Sequence, residues 1–89
     1  MITHARNIIA GENVAENVER IRHWMEFAPE TLGDMSFTQI GTIWCTLSEV
    51  AMASREPIHV KQQAVESLQL MVDYVKEHSA LECQAVPHV

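Results

Sequence analysis

The sequence predicts an all-α fold, a three-helix bundle built on an antiparallel helical hairpin. Three stretches repeat apolar residues at alternating spacings of three and four, which is the pattern of a helix with one buried face. Only three glycines and three prolines occur in 89 residues, so turns are few and long elements are favoured. The composition is 47% hydrophobic, which is too rich for a disordered chain. We therefore expect one helical domain over residues 1–89.

The first predicted helix covers residues 13–28, after an ambiguous stretch (residues 1–12) that could form only a short helical turn. Asn13 is the expected N-cap, with Glu16 three residues later as its partner in a capping box. Pro29 ends the helix, because a proline pushes the preceding residue out of helical geometry. The apolar stripe is formed by Val14, Val18, Ile21, Met25 and Ala28.

The second predicted helix, residues 36–55, follows a loop at residues 30–34 and is the centre of the bundle. Ser36 and Gln39 fit a capping box, in which each side chain bonds to the backbone N–H of the other. The flanking Met35 and Ile40 occupy the positions of a hydrophobic staple. The buried stripe is formed by Ile40, Ile43, Leu47, Val50 and Ser54, and Trp44 and Ala51 widen it on one side.

The third predicted helix covers residues 59–78. Pro57 separates it from the second helix, and the short connection makes the two helices antiparallel neighbours. Residues 79–89 lose the helical period and contain Pro87, so we expect a flexible C-terminal tail. The core stripe of the third helix is formed by Ala64, Leu68, Met71 and Val75, flanked by Val65 and Val72.

The charge balance argues against nucleic acid as a direct partner. Twelve acidic residues face six basic ones, giving a net charge of −6, whereas phosphate binding needs clustered lysine and arginine. A DNA-binding helix-turn-helix protein is the weakest alternative. Its recognition helix would carry Lys61 and several glutamines, but Glu66, Asp73 and Glu77 lie among them and would repel the DNA backbone.

The chain has no signature of a membrane protein or of an enzyme. Its apolar runs are too short to cross a membrane and it has no secretion signal, so we expect a cytoplasmic protein. Cys45 and Cys83 have no metal or redox spacing and are expected to be free thiols. Glu19, His23 and Glu26 share a helix face but supply too few ligands for a metal. We expect no cofactor, no metal and no catalytic residue.

The helices carry more apolar surface than one buried face requires. Trp24 and Phe27 extend the stripe of the first helix sideways, and Leu70 and Tyr74 do so on the third. Contacts between neighbouring helices could account for these flanks. The alternative is a partner-binding surface, because leaving four such side chains wet forgoes about 6–8 kcal/mol. The acidic residues expected to steer this surface toward a basic partner are Glu16, Glu19 and Glu26.

From Asn13 to His78 the chain resembles the small acidic helical proteins of phages and prophages that inhibit a regulator, such as the lambdoid prophage antirepressors. The resemblance rests on size, charge and helical layout, with Trp24, Trp44 and the acidic strip at residues 12–30 as its distinctive features. It implies a non-enzymatic mechanism, in which the protein binds a transcriptional repressor and blocks its dimerisation or its access to DNA. The alternative is a self-associating helical module, a homodimer without a separate inhibitory role.

Overall fold

The computed structural model describes residues 1–85, and it describes side chains from residue 1 to residue 78. All regular structure in the described residues is helical, which confirms the all-α class. Four α-helices and one 3-10 helix follow one another along this part of the chain, where the sequence predicts three helices. They are α1 (Ile2–Ile9), α2 (Val14–Phe27), the 3-10 helix (Pro29–Asp34), α3 (Phe37–Met52) and α4 (Ile58–Ala85).

One apolar core holds these helices together. α4 packs against both α2 and α3, and α1 packs against the same two helices. Every helix, including the 3-10 helix, contributes at least one buried side chain, so none is a mere connection. The core consists of Ala5, Ile8, Val18, Ile21, Met25, Leu32, Ile43, Leu47, Val50, Val60, Ala64 and Met71.

The sequence leaves α1 as an ambiguous short turn, but the structure makes it part of the core. Ala5 and Ile8 are buried against the neighbouring helices. Beyond α1 the chain turns through Gly11, whose φ of 78° lies in the left-handed region that glycine adopts without strain. An eight-residue helix with two buried positions is too short to establish a period, so its burial could not be predicted.

A buried asparagine joins α1 to the start of α2. The Asn17 side chain donates to the backbone carbonyls of Glu12 and Asn13, at 3.1 and 3.0 Å. Its Oδ1 lies 3.0 Å from Nδ1 of His4 in α1. Because both ends of the amide have partners, Asn17 can be buried without the cost of an unsatisfied polar group.

The predicted capping box at the start of α2 is wrong. Asn13 is the N-cap, but its φ of 46° is left-handed and its side chain makes no capping hydrogen bond. An N-cap side chain normally reaches the first free N–H groups from an extended backbone, which Asn13 does not have. Glu16, the expected partner in the box, instead forms an ion pair with Arg20.

The connection between α2 and α3 is a packed element and not the loop expected at residues 30–34. These residues belong to the 3-10 helix, and Leu32 is buried in the core. The Thr31 hydroxyl donates to the Ala28 carbonyl at 2.9 Å, which satisfies one carbonyl at the end of α2. The 3-10 helix therefore fixes the direction in which the chain passes from α2 to α3.

The start of α3 confirms the capping box predicted there. The Ser36 hydroxyl accepts from the Gln39 N–H and the Gln39 side chain accepts from the Ser36 N–H, both at 3.2 Å. The helix ends at Met52, three residues before the predicted end. The Pro57 carbonyl then accepts from the amides of Val60 and Lys61 in the first turn of α4. The predicted stripe is buried at Ile43, Leu47 and Val50.

The last helix is longer than the sequence predicts. α4 runs from Ile58 to Ala85, so residues 79–85 belong to a helix and not to the predicted tail. Residues 86–89 of that tail lie outside the described residues.

The buried face of α4 also differs from the predicted one. Ala64 and Met71 are buried as predicted, and so are Val60 and Ser67, whereas Val75, also a predicted core residue, is 52% exposed. Ser67 can occupy the core because its hydroxyl donates to the Gln63 carbonyl one turn earlier, at 2.8 Å. The helix is therefore rotated relative to the prediction, and the side that carries Val75 is partly exposed.

Candidate protein-binding groove

The rotation of α4 leaves a second apolar stripe at the surface. Its residues repeat at spacings of four and three, so they share one side of the helix. Val65 and Val75 are about half exposed, while Leu68 and Val72 are partly buried. The stripe consists of Val65, Leu68, Val72 and Val75, and Lys61 lies one turn before Val65 on the same side of the helix.

The facing side of α3 is also apolar and partly uncovered. Phe37, the first residue of α3, is 94% exposed, and Trp44, two turns further on, is 40% exposed. Ile40 lies between them in the helical stripe and packs partly against the core. The sequence places Trp44 on the edge of the buried face, but nearly half of this side chain remains accessible.

Between these two stripes runs an open apolar groove of about 440 Å³, which we call the α3–α4 groove. Gly41 lies on its α3 side, where a Cβ would meet no atom within 4 Å, so this side has an open notch. The exposed thiol of Cys45 and the side chain of Lys76 also line it. The apolar lining is formed by Phe37, Ile40, Trp44, Met71, Val72 and Val75.

The groove leaves a large apolar area in water for so small a chain. Aromatic side chains have areas of about 150–250 Å², so Phe37 and Trp44 alone expose roughly 300 Å². At about 25 cal/mol per Å², covering them is worth roughly 7 kcal/mol. This amount is comparable with the whole folding stability of a small domain. Apolar patches of this size are typical of interaction sites.

Two of the predicted partner-binding residues lie on the exposed surface of α2. Phe27 is 68% exposed and its ring lies 4.7 Å from that of His23. Trp24 is 40% exposed. It follows Asn17 by seven residues, so it lies on the same side of α2 as Asn17, whose side chain contacts His4 of α1. Both side chains are accessible, and neither lines the α3–α4 groove.

The other two predicted residues, Leu70 and Tyr74, are half-buried and pack against the core. The Tyr74 ring stacks on His78 with centroids 3.9 Å apart. Its hydroxyl reaches the 3-10 helix, where a Cβ added to Gly33 would lie 3.3 Å away. Tyr74 is therefore engaged within the protein itself.

Leu70 and Trp24 are not brought together. Leu70 lies beside Arg22 and Glu66, on the side where α4 faces α2. Trp24 comes two residues after Arg22, which is about 200° around the helix, so it points to another side of α2. The structure thus divides the four predicted side chains between two surfaces.

The predicted steering carboxylates on α2 are exposed, and two of them are paired locally. Glu16 bonds to Arg20 at 2.6 Å, and Glu26 bonds to Arg22 at 2.7 Å. The Arg22 guanidinium also donates to Glu66 of α4 at 3.1 Å, and this hydrogen bond raises the pKa of Arg22. Glu19 is exposed beside them. Surface pairs of this kind contribute little stability, but they reduce the net charge of the strip.

Neither a metal centre nor a membrane segment is found in the residues that the structure describes. No three of their histidine, cysteine, aspartate and glutamate side chains come close enough to share a metal ion. No helix among them is both long and apolar enough to cross a bilayer.

Sequence reasoning missed the groove because it assigned its lining to the core. The apolar spacing predicts that Trp44, Val72 and Val75 pack between helices, and it does not predict an exposed face. The available signal was that α4 carries two stripes of helical spacing, one more than a buried face needs. Phe37 at the first position of a helix, next to a polar cap, was a second signal.

Comparisons with known proteins identify no relative of this chain. No protein-family model, curated protein or solved structure matches it.

Proposed function

We propose that the protein is a non-enzymatic binding protein that acts by direct contact with another protein through the α3–α4 groove. The observation that carries this proposal is the exposure of Phe37 and Trp44 beside an apolar groove. Aromatic side chains in apolar surroundings are the usual anchors of protein interfaces. Apart from Cys45 and Lys76, the side chains that line the groove are apolar and carry neither a charge nor a nucleophile.

The resemblance to prophage antirepressors suggests a transcriptional repressor as the partner. Contact with this protein would block repressor dimerisation or access to operator DNA. The helical fold and the exposed groove are compatible with such a blocking role. Adding the protein to a co-purifying repressor should release operator DNA in a gel shift, and unchanged DNA binding would exclude this mechanism.

A pull-down with matched serine variants tests the groove as the binding site. Phe37 and Phe27 are both exposed phenylalanines near the end of a helix, but only Phe37 lines the groove. We expect a partner to co-purify in stoichiometric amount with the wild type and with Phe27→Ser, and to be lost with Phe37→Ser. Circular dichroism should show the same helical content for all three proteins, because neither ring is buried.

The reverse result has a clear meaning. Loss of the partner with Phe27→Ser alone would assign the contact to the exposed surface of α2 that carries Trp24 and Phe27, two of the four apolar residues predicted to bind a partner. Retention of the partner by both variants would contradict the groove and that surface alike.

Self-association is the second candidate function, and one feature of the groove favours it. The exposed Phe37 ring and the open space at Gly41 lie one helical turn apart on the same surface. A projection and a notch on one surface can fit those of a second copy related by a two-fold axis. Light scattering across a wide concentration range separates the two functions, because a protein that stays monomeric cannot act as a homodimer.

A further inference from the structure

The positive charges beside the groove stand out in an acidic protein. The sequence has two lysines, Lys61 and Lys76, and both belong to α4. Lys76 lines the groove itself, and Lys61 continues the stripe of Val65 and Val75 at helical spacing. No carboxylate lines the groove in the described part of the chain.

Among the side chains that the structure describes, the carboxylates of the two groove helices do not line the groove. Glu66, Asp73 and Glu77 of α4 follow one another at spacings of seven and four, along a line that faces away from α3. Glu66 accepts from Arg22 of α2, and Asp73 accepts from Gln69 at 2.9 Å. Glu49 of α3 lies beside Ile9 of α1. The groove therefore carries a local charge opposite to that of the whole protein.

The shape of the groove suits a helix. The exposed stripe of α4 repeats at spacings of four and three, as in the seam of a coiled coil. On α3, Phe37 and Trp44 form a second ridge, also at helical spacing. From Lys61 to Lys76 the stripe is about 22 Å long, which matches four turns of a partner helix. The α3 ridge from Phe37 to Trp44 is about 10 Å long, so the groove itself receives about two turns of the apolar side of an amphipathic helix, and the α4 stripe extends beyond it.

We propose that the α3–α4 groove binds an amphipathic helix of another protein, with apolar anchors in the groove and flanking carboxylates on Lys61 and Lys76. The proposal rests on the function proposed above and specifies the chemistry of the partner. A second copy of the chain fits less well, because a two-fold contact through this surface brings lysines together without a carboxylate to pair with them.

Two helical peptides of about 18 residues test the proposal. Both carry the same leucine stripe at i, i+4, i+7 and i+11, and their flanking positions are all glutamate in one and all lysine in the other. The net charge of −6 would attract the lysine peptide, whereas the lysines beside the groove attract the glutamate peptide. The two explanations thus predict opposite orders of affinity.

We expect the glutamate peptide to bind about tenfold more tightly than the lysine peptide in fluorescence anisotropy at low salt, because its carboxylates pair with the two lysines. The double variant Lys61→Glu, Lys76→Glu should reverse this order. Phe37→Ser should weaken binding of the glutamate peptide, and Phe27→Ser should leave it unchanged. Tighter binding of the lysine peptide to the wild type would overturn the proposal, as would binding that ignores Phe37.

Cys45 provides an independent measure of where the peptide sits, because its exposed thiol lines the groove. In a Cys83→Ser background, saturating glutamate peptide should slow the alkylation of Cys45 by iodoacetamide at least severalfold. An unchanged rate of alkylation would show that the peptide binds elsewhere and would overturn the proposal.

The charge variants also separate this inference from the proposed function. If a cellular partner requires Phe37 but binds equally well to the double lysine variant, the groove remains the binding site and the acidic helix is excluded. If Phe37→Ser instead abolishes self-association of the pure protein, the occupant is a second copy and the inference is overturned.

Discussion

Asn17 is the residue on which the junction between α1 and α2 depends. Replacing it with alanine removes three hydrogen bonds and leaves the Glu12 and Asn13 carbonyls without that partner. We expect Asn17→Ala to lower the free energy of unfolding by about 2–3 kcal/mol in urea denaturation. His4→Ala removes one of the three bonds and should cost less. Equal stability of Asn17→Ala and the wild type would contradict this role.

The capping box of α3 gives a second prediction at the level of single residues. Ser36→Ala removes the side chain that caps the helix and should cost about 1 kcal/mol of unfolding free energy. Ser48→Ala is the matched control, because the Ser48 hydroxyl only bonds back to the Trp44 carbonyl and alanine is the better helix former. Its thermal stability should equal or slightly exceed that of the wild type, and an equal loss in both variants would argue against the cap.

Polar side chains were predictable from the sequence only where their partners are local. The Ser36–Gln39 box is complete within four residues, so its pattern identifies it. The contact between His4 and Asn17 spans thirteen residues and depends on a turn with left-handed backbone at Asn13. No local pattern contains this information.

At the level of elements, the orientation of α4 can be tested with two valines. Val60 is buried and Val75 is half exposed, although the sequence predicts Val75 as core. We expect Val60→Ala to cost about 2 kcal/mol of unfolding free energy, from two lost methyl groups and the cavity they leave. Val75→Ala should cost about 0.5 kcal/mol or less in the same urea denaturation experiment. A larger loss of unfolding free energy for Val75→Ala than for Val60→Ala would show that α4 buries the side that the sequence predicts.

The apolar periodicity predicts that each long segment is helical, but it does not predict which side of the helix is buried. In α4 two stripes have the same spacing, and the buried one contains Ser67, which a hydrophobic pattern discounts. In α3 a single stripe dominates, and its core residues Ile43, Leu47 and Val50 were predicted correctly. Where a helix packs between two neighbours, tertiary contacts decide the orientation.

For the molecule as a whole, the sequence shows that the helices carry more apolar residues than one buried face needs, but it does not show which surface these residues occupy. Of the four predicted interface residues, Trp24 and Phe27 are exposed, while Leu70 and Tyr74 pack against the core. The aromatic side chains of the groove, Phe37 and Trp44, are not among the predicted interface residues. Which flank remains uncovered depends on how the helices pack together, and that arrangement is not local.

The exposed groove predicts a measurable property of the free protein. A dye that fluoresces on apolar surfaces, such as ANS, should bind the native protein, and Phe37→Ser should weaken the signal more than Phe27→Ser does. The same variant should change the free energy of unfolding by no more than about 0.5 kcal/mol, because the ring is not buried. A loss of 2 kcal/mol or more would mean that Phe37 belongs to the core.

The open space at Gly41 allows stability and recognition to be separated by one methyl group. Glycine within a helix costs about 0.5–1 kcal/mol relative to alanine, and at this position an alanine would meet no neighbouring atom. Gly41→Ala should therefore raise the melting temperature while making the notch shallower. If the Gly41→Ala protein melts at a higher temperature yet binds its partner less well, the glycine serves recognition at a cost in thermal stability.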